Sequence, residues 1–283
     1  MKKILLTGGT GFIGRSILPI LREHFDVTAP TRAELNLTDE TAVRSYLENG
    51  RFDFVFHCAN PNPAKNNLDA PDRLGLDSLR AYFSLRRCSD LYGKLFYLGS
   101  GAEYDKRFDI VSVKEEQIEA RLPADDYGFA KYIMNRDAQA SKNIYNLRVF
   151  GCYGPTDAKT KFIRDAIDRC LENRPITIRQ NCMFDYMYVE DLAYIAGRLM
   201  EKESLAFHDY NVCSGKRVSL LEIAEIVKER MNNPYPIETA KDGWNKEYTG
   251  DNSRLLKEIS GFHFTSIGEG IDRQIKWQKE TYK

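Results

Sequence analysis

The chain has 283 residues, enough to bury a full core in one or two domains, and 41 Lys and Arg balance 41 Asp and Glu. With no net charge, no global field draws it to nucleic acid or to an anionic membrane, and a small-molecule partner is expected. Its apolar runs fall well short of the about 18 residues of a membrane span, so a soluble cytoplasmic protein is expected.

The first element organises the rest. Ile4, Leu5 and Leu6 form a short apolar run that predicts a strand, while Phe12, Ile13, Ile17, Leu18 and Leu21 recur at helical spacing. Between them lies TGGTGFIG, Thr7 to Gly14, in which Gly9, Gly11 and Gly14 fit G-x-G-x-x-G and Gly8, Gly11 and Gly14 fit G-x-x-G-x-x-G. A strand, a glycine turn and a helix N-terminus present unpaired N–H groups to a pyrophosphate with no Cβ in the way. Gly8, Gly9, Thr10, Gly11, Phe12, Ile13 and Gly14 are therefore assigned to dinucleotide binding.

Phe25 to Thr28 reads as a second strand, and Glu40 to Leu47 as a helix begun at Thr38 or Asp39. Phe52 to Cys58 has the continuous apolar character of a strand buried on both faces. A loop rich in Asn and Pro, Asn60 to Asn67, leads to a helix over about 72–91. Lys94 to Leu98 is a strand ending in Gly99 and Ser100, Asp125 to Ser141 a helix, and Asn143 to Phe150 a strand. This alternation predicts an α/β fold with a Rossmann-type doubly wound parallel sheet. Ligands then sit at the carboxyl ends of strands, in the loops after Leu6, Thr28, Cys58, Leu98 and Phe150.

Past Gly154 and Pro155 the rhythm changes: a helix from about Lys161 to Leu171, a strand Ile176 to Arg179, then FDYMYVEDLA running into a helix through Met200. Tyr210 to Val212 reads as a strand, Ser219 to Met231 as a helix with a Ser219/Glu222 capping box, and Asn232 to Pro236 as a loop. The expected layout is a dinucleotide-binding domain over 1–155 with about 186–210, and a smaller C-terminal α/β substrate-binding domain over 156–185 and 211–283.

Tyr127 and Lys131 form Y-x-x-x-K on a predicted helix, which puts both side chains on one face. A fixed ammonium beside a phenol favours the phenolate and is expected to bring the tyrosine pKa down toward neutrality. Ser100, at the end of a predicted strand on the same edge, can hold a carbonyl oxygen beside Tyr127. The six cysteines lie far apart with no C-x-x-C pair, so neither a metal site nor a disulfide framework is expected, and His57 reads as a packed core histidine.

TGGTGFIG, Ser100, YGFAK, LRVFGCYGP, FDYMYVEDLA and YNVCSGKRVSLLEIAEIV together resemble the extended short-chain dehydrogenase/reductases, the NAD-dependent epimerase/dehydratase family, over almost the whole chain. The resemblance implies a nucleotide-sugar substrate, a homodimer built on the helices near 72–91 and 125–141, and catalysis by Ser100, Tyr127 and Lys131, with Lys131 also binding the nicotinamide ribose. It extends the cofactor contacts to Asp39, Cys58, Ala59, Asn60, Leu98, Tyr127, Lys131 and Phe150, and gives Asn60, Ser100, Gly101, Ala102, Gly151, Arg179 and Arg254 as substrate contacts. Lys216 and Lys246 are further candidates for the diphosphate.

Departures narrow the choice. The 4,6-dehydratases follow the catalytic Ser or Thr directly with Asp and Glu; here Gly101 and Ala102 follow Ser100, and Glu103 comes one place late. TRAELNLTD, Thr31 to Asp39, is similar to the same segment in the GDP-fucose synthases, NADP-dependent ketoreductases, and lacks the acid that grips an NAD ribose; Arg32 can pair with a 2′-phosphate instead. Those synthases also epimerise, with a Cys matched here by Ala102 and a His that falls near Lys161, and their Arg before the FDY-like segment is matched by Phe184. A 4-keto sugar nucleotide reductase using NADP is expected, with NAD as the other cofactor open to it. The alternatives are an NAD-retaining nucleotide-sugar epimerase and a non-catalytic dinucleotide sensor or scaffold.

Overall fold

The computed structural model describes residues 1–60 and 74–282; the expected loop beyond Asn60 and the first residues of the helix expected at 72–91 lie outside the described residues. The chain runs through β1 (Lys3–Thr7), α1 (Phe12–Leu21), β2 (Asp26–Thr28), α2 (Glu40–Gly50), β3 (Phe54–His57), α3 (Leu74–Arg86), β4 (Lys94–Ser100), β5 (Ile110–Val113), α4 (Asp126–Gln139), β6 (Ile144–Val149) and β7 (Gly151–Tyr153). It continues through α5 (Phe162–Leu171), β8 (Thr177–Asn181), β9 (Met183–Phe184), β10 (Tyr186–Tyr188), α6 (Asp191–Glu201), β11 (Asp209–Val212), β12 (Val218–Ser219), α7 (Leu220–Met231), β13 (Glu238–Trp244), β14 (Tyr248–Gly250), α8 (Ser253–Glu258) and α9 (Ile267–Thr281).

Six strands make one parallel sheet in the order β2-β1-β3-β4-β6-β11. Because side chains alternate across a strand, the sheet sorts its apolar residues into two cores. Ile4, Leu6, Phe54, Phe56 and Phe96 face α1, α6 and α8. Leu5, Val55, Leu95 and Tyr97 face α2, α3 and α4. β1 has β2 on one side and β3 on the other, so the connections leaving it diverge there and open a crevice at the carboxyl edge.

The remaining strands build a second lobe from a four-stranded sheet, β12-β9-β14-β5, and the pairs β7/β10 and β8/β13. Its core joins Ile163 and Ile167 of α5, Ile223 and Val227 of α7, and Ile271 and Ile275 of α9. The capping box of α7 forms as the sequence indicates: Glu222 N donates to Ser219 Oγ at 3.1 Å and Ser219 N to Glu222 Oε2 at 2.8 Å. Two features cross the expected boundaries. Position 211 falls inside β11, the last strand of the main sheet, and β5, from the first half of the chain, pairs with β14 in the second lobe. Both are non-local pairings that periodicity along the chain cannot specify.

Candidate active site

The glycine turn is built as the spacing demands. Gly8 has φ +76°, and a β-carbon on it would stand 2.5 Å from Ala59 N; on Gly14 one would stand 2.2 Å from Gly8 O. The first contact seats the turn against Cys58 and Ala59 at the end of β3, and the second lets α1 pack against the turn. Gly11 differs, for its nearest contact would be an ordinary 3.4 Å, so the protein's own packing leaves that space open. α1 starts at Phe12 with no side-chain cap among the described residues and no acid in its first turn. Its N–H groups at Phe12, Ile13 and Gly14 are thus unopposed, and with the open turn at Gly9, Thr10 and Gly11 they fit a pyrophosphate.

Arg32 lies beyond β2 in an exposed turn closed by Thr31 and Glu34, where Thr31 N and Oγ1 donate to Glu34 Oε2 at 2.7 and 2.9 Å. Among the described residues its guanidinium has no ion-pair or hydrogen-bond partner, and the neighbouring acid, Glu34, is turned into the loop. Asp39 caps α2, accepting from Ala42 N at 3.0 Å, and is exposed. Asn60 Oδ1 accepts from Ser78 Oγ of α3 at 2.9 Å, tying the crevice wall to that helix.

Ser100 ends β4, and Asp125 starts α4 by accepting from Gly128 N at 2.9 Å, which brings Tyr127 to the same edge. The Ser100 hydroxyl lies near enough to Tyr127 to act on its acidity. Lys131, four residues on, is buried, and its Nζ donates to Leu98 O at 2.7 Å and lies 5.9 Å from the Tyr127 ring centre. An ammonium has three donors, so two remain for a ligand or for Tyr127. Burial pulls Lys131 down to about 8, opposed by Glu103 and by Cys58. Burial also pushes Tyr127 up to about 12, while its hydrogen bond to Ser100 acts the other way. The expected depression of Tyr127 by Lys131 does not appear: burial raises the phenol, and the lysine donates to the Leu98 carbonyl.

Beneath this edge, His57 shares a 2.7 Å hydrogen bond with Thr7 Oγ1, and burial with the nearby Lys131 charge holds it neutral, down to about 3. Burial likewise keeps Cys58 a thiol. Phe150 is buried against Tyr104 and Tyr248.

The other expected substrate contacts differ in their surroundings. Arg254 Nη1 is 2.6 Å from Asp209 Oδ1 and Nη2 is 2.8 Å from Glu116 Oε1, with the guanidinium 4.3 Å over Phe207. It is engaged in a buried charge network rather than offered to a diphosphate. Arg179 is exposed on β8, and Lys216 and Lys246 are exposed in the second lobe. A β-carbon on Gly151 would meet Asp185 O at 2.5 Å, so that glycine serves the β7/β10 junction. Gly101 and Ala102 are buried, and the open face of Gly101 is filled by the Tyr248 hydroxyl.

The sequence reading missed three residues. Glu103 is fully buried, accepting from Ser100 N at 3.0 Å, from Asn146 Nδ2 at 3.1 and 3.0 Å and from Arg148 Nε at 2.7 Å. Its carboxylate is engaged by these groups, and with Ser100 it forms a capping box, a signal legible as S-x-x-E. Arg148, fully buried, reaches Asp209 Oδ2 at 2.9 Å and Asn211 Oδ1 at 3.0 Å. Burial works against its charge, yet Glu103, Tyr104 and Asp209 carry it well above its ordinary value. Tyr248 has no local motif to reveal it.

A glycine turn on the first strand of a doubly wound sheet, with a serine, a tyrosine and a lysine converging at its carboxyl edge, defines an extended short-chain dehydrogenase/reductase enzyme. Residues 4–213 match the NAD dependent epimerase/dehydratase family, and the chain belongs to it. It is 26% identical to the GDP-6-deoxy-D-talose 4-dehydrogenase of Aggregatibacter actinomycetemcomitans, an alignment covering 97% of each chain. To the GDP-L-colitose synthase of Yersinia pseudotuberculosis it is 23% identical, again over 97% of each. Its fold superposes on the GDP-mannoheptose C4 reductase of Campylobacter jejuni with NADP bound at a TM-score of 0.86 and 18% identity, covering 98% of both chains.

Proposed function

We infer that the protein reduces the 4-keto group of a sugar nucleotide with NADPH. The observation that carries the reading is the convergence of Ser100, Tyr127 and Lys131 beside the uncapped N-terminus of α1. The glycine turn and the first N–H groups of α1 hold the pyrophosphate, and Arg32 holds a 2′-phosphate. NADPH, when bound, supplies the hydride. Ser100 holds the keto oxygen, Tyr127 gives the proton to the oxygen as negative charge develops on it, and Lys131 orients the ribose and stabilises the phenolate left behind. With its pKa near 12, Tyr127 is protonated at neutral pH, as a proton donor must be.

Ala102 and Lys161, in place of the Cys and His of the epimerising synthases, favour reduction without epimerisation. We place the protein in the cytoplasm as a homodimer joined through α3 and α4, where Leu76 and Phe129 are 46% and 43% exposed. The names of the two sequence relatives direct the first trial to GDP-linked sugars. The test is NADPH consumption with a panel of 4-keto nucleotide sugars, the product resolved by NMR. Stoichiometric conversion to a 4-hydroxy sugar supports the reading. Protein that purifies with retained NAD and interconverts epimers without consuming NADPH contradicts it.

A further inference from the structure

The helix that carries Tyr127 and Lys131 meets the turn that carries Ser100 at two points. At the start of α4 the backbone of Gly128 lies against Ala102 O, so close that a β-carbon there would collide with it. About two turns further along the helix the second link is polar. Asn146 of β6, fully buried, donates through Nδ2 to Glu103 Oε1 and Oε2 at 3.1 and 3.0 Å and to Asn135 Oδ1 of α4 at 3.0 Å. Glu103 in turn accepts from Ser100 N at 3.0 Å. Asn135 is also fully buried and lies one helical turn past Lys131, on the same face.

An amide Nδ2 has two hydrogens, which suffice for one carboxylate and one carbonyl. The side chain cannot turn over without setting its oxygen against Glu103, so its acceptors fix its direction. Gly99 makes room for it: a β-carbon there would collide with Asn146 Oδ1 and Glu103 Oε1. As a device for stability the pair is poor, because Asn146 Oδ1 and Asn135 Nδ2 are buried with no hydrogen-bond partner among the described residues. What it supplies is direction. A helix held at Gly128 alone can pivot, and a second tie beyond Lys131 removes that freedom. We propose that Asn146 is a positioning residue: its amide couples the Ser100 turn to α4 and so sets the separation of Ser100 from Tyr127 and Lys131. The proposal rests on the reading of those three residues as the catalytic set.

The test is steady-state NADPH oxidation with a GDP-linked 4-keto-6-deoxyhexose by Asn146→Leu, Asn135→Leu and the double variant, beside Ser100→Ala. Leucine keeps the approximate shape of the amide and removes the tie. Each single variant should lower kcat about tenfold or more, since a misplacement of about 1 Å can cost about 10² in rate, while KM for the sugar nucleotide stays at the wild-type value. The double variant should lose no more than the more impaired single, because either change cuts the same tie. Asn135→Leu leaves every donor to Glu103 in place, so it decides the matter should Asn146→Leu fail to fold. Wild-type kcat in Asn135→Leu, a loss confined to KM, or losses that multiply in the double variant would overturn the proposal, and with Ser100→Ala impaired the ketoreductase reading stands without it. Should Ser100→Ala itself match wild type, the underlying reading falls and takes this proposal with it.

Discussion

Ser100 and Glu103 lie on the same turn of chain yet belong to opposite electrostatic regimes. In the network behind the site, Arg148 meets Glu103, Asp209 and Asn211, and Arg254 extends the set to Glu115 and Glu116. Charge there is matched by opposite charge, though Asn146 Oδ1 and Asn135 Nδ2 at its margin have no partner among the described residues, and the cluster holds the 3-10 turn Gly101–Glu103 in place. On the edge proposed for catalysis capacity is left over: Lys131 has one hydrogen-bond partner among the described residues, Leu98 O, and Tyr127 has Ser100 beside it. Burial accordingly drives those two in opposite directions, Lys131 down to about 8 and Tyr127 up to about 12. Matched charge builds the platform, and the proposed chemistry falls to the unmatched edge.

The largest effect should come from breaking the matched side. Arg148→Met strands Glu103 and Asp209 without their cation and should cost about 3 to 5 kcal/mol of stability. Urea denaturation measures it; an unchanged midpoint would mean that the network is not structural.

Asp157 sharpens the comparison, being a buried carboxyl whose one hydrogen-bond partner among the described residues is Ala158 N at 2.8 Å, with Lys161 and Arg164 nearby. Burial raises it from 3.8 to about 6. A raised acid binds its proton more tightly folded than unfolded, so stability should fall as pH climbs from 3.8 toward 6 and then level off. Asp157→Asn should remove that slope and stabilise the protein at pH 7 by up to about 3 kcal/mol. Equal melting temperatures for the two proteins across this window would contradict the assignment.

A smaller effect belongs to Arg32. If its unpartnered guanidinium takes a 2′-phosphate, Arg32→Ala should weaken NADPH about tenfold, the low end for a hydrogen bond to a charged group, and leave NADH unchanged. Fluorescence titration of both cofactors distinguishes this from an ordinary solvated arginine.

What the sequence disclosed follows the same division. The main sheet, α1 and the positions of Ser100, Tyr127 and Lys131 rest on local signals: an apolar strand, a glycine turn and a spacing of one helical turn. Glu103 was legible as a capping box and was read instead against the dehydratase spacing. Arg254, Arg148 and Tyr248 were beyond reach, because their meaning lies in partners such as Asp209, Glu103 and Phe150 that only the tertiary fold supplies. The second lobe was blurred for the same reason. β14 is three residues long and pairs with β5, which ends 135 positions earlier.

The central claim, that the unmatched edge performs the chemistry, is tested most directly by Tyr127→Phe. Single-turnover loss of NADPH absorbance with a GDP-linked 4-keto sugar should slow by at least about 10², the lower bound for general acid catalysis, while cofactor affinity and urea midpoint stay at wild-type values. Turnover matching the wild type would mean that another group gives the proton and that this edge is not the active site.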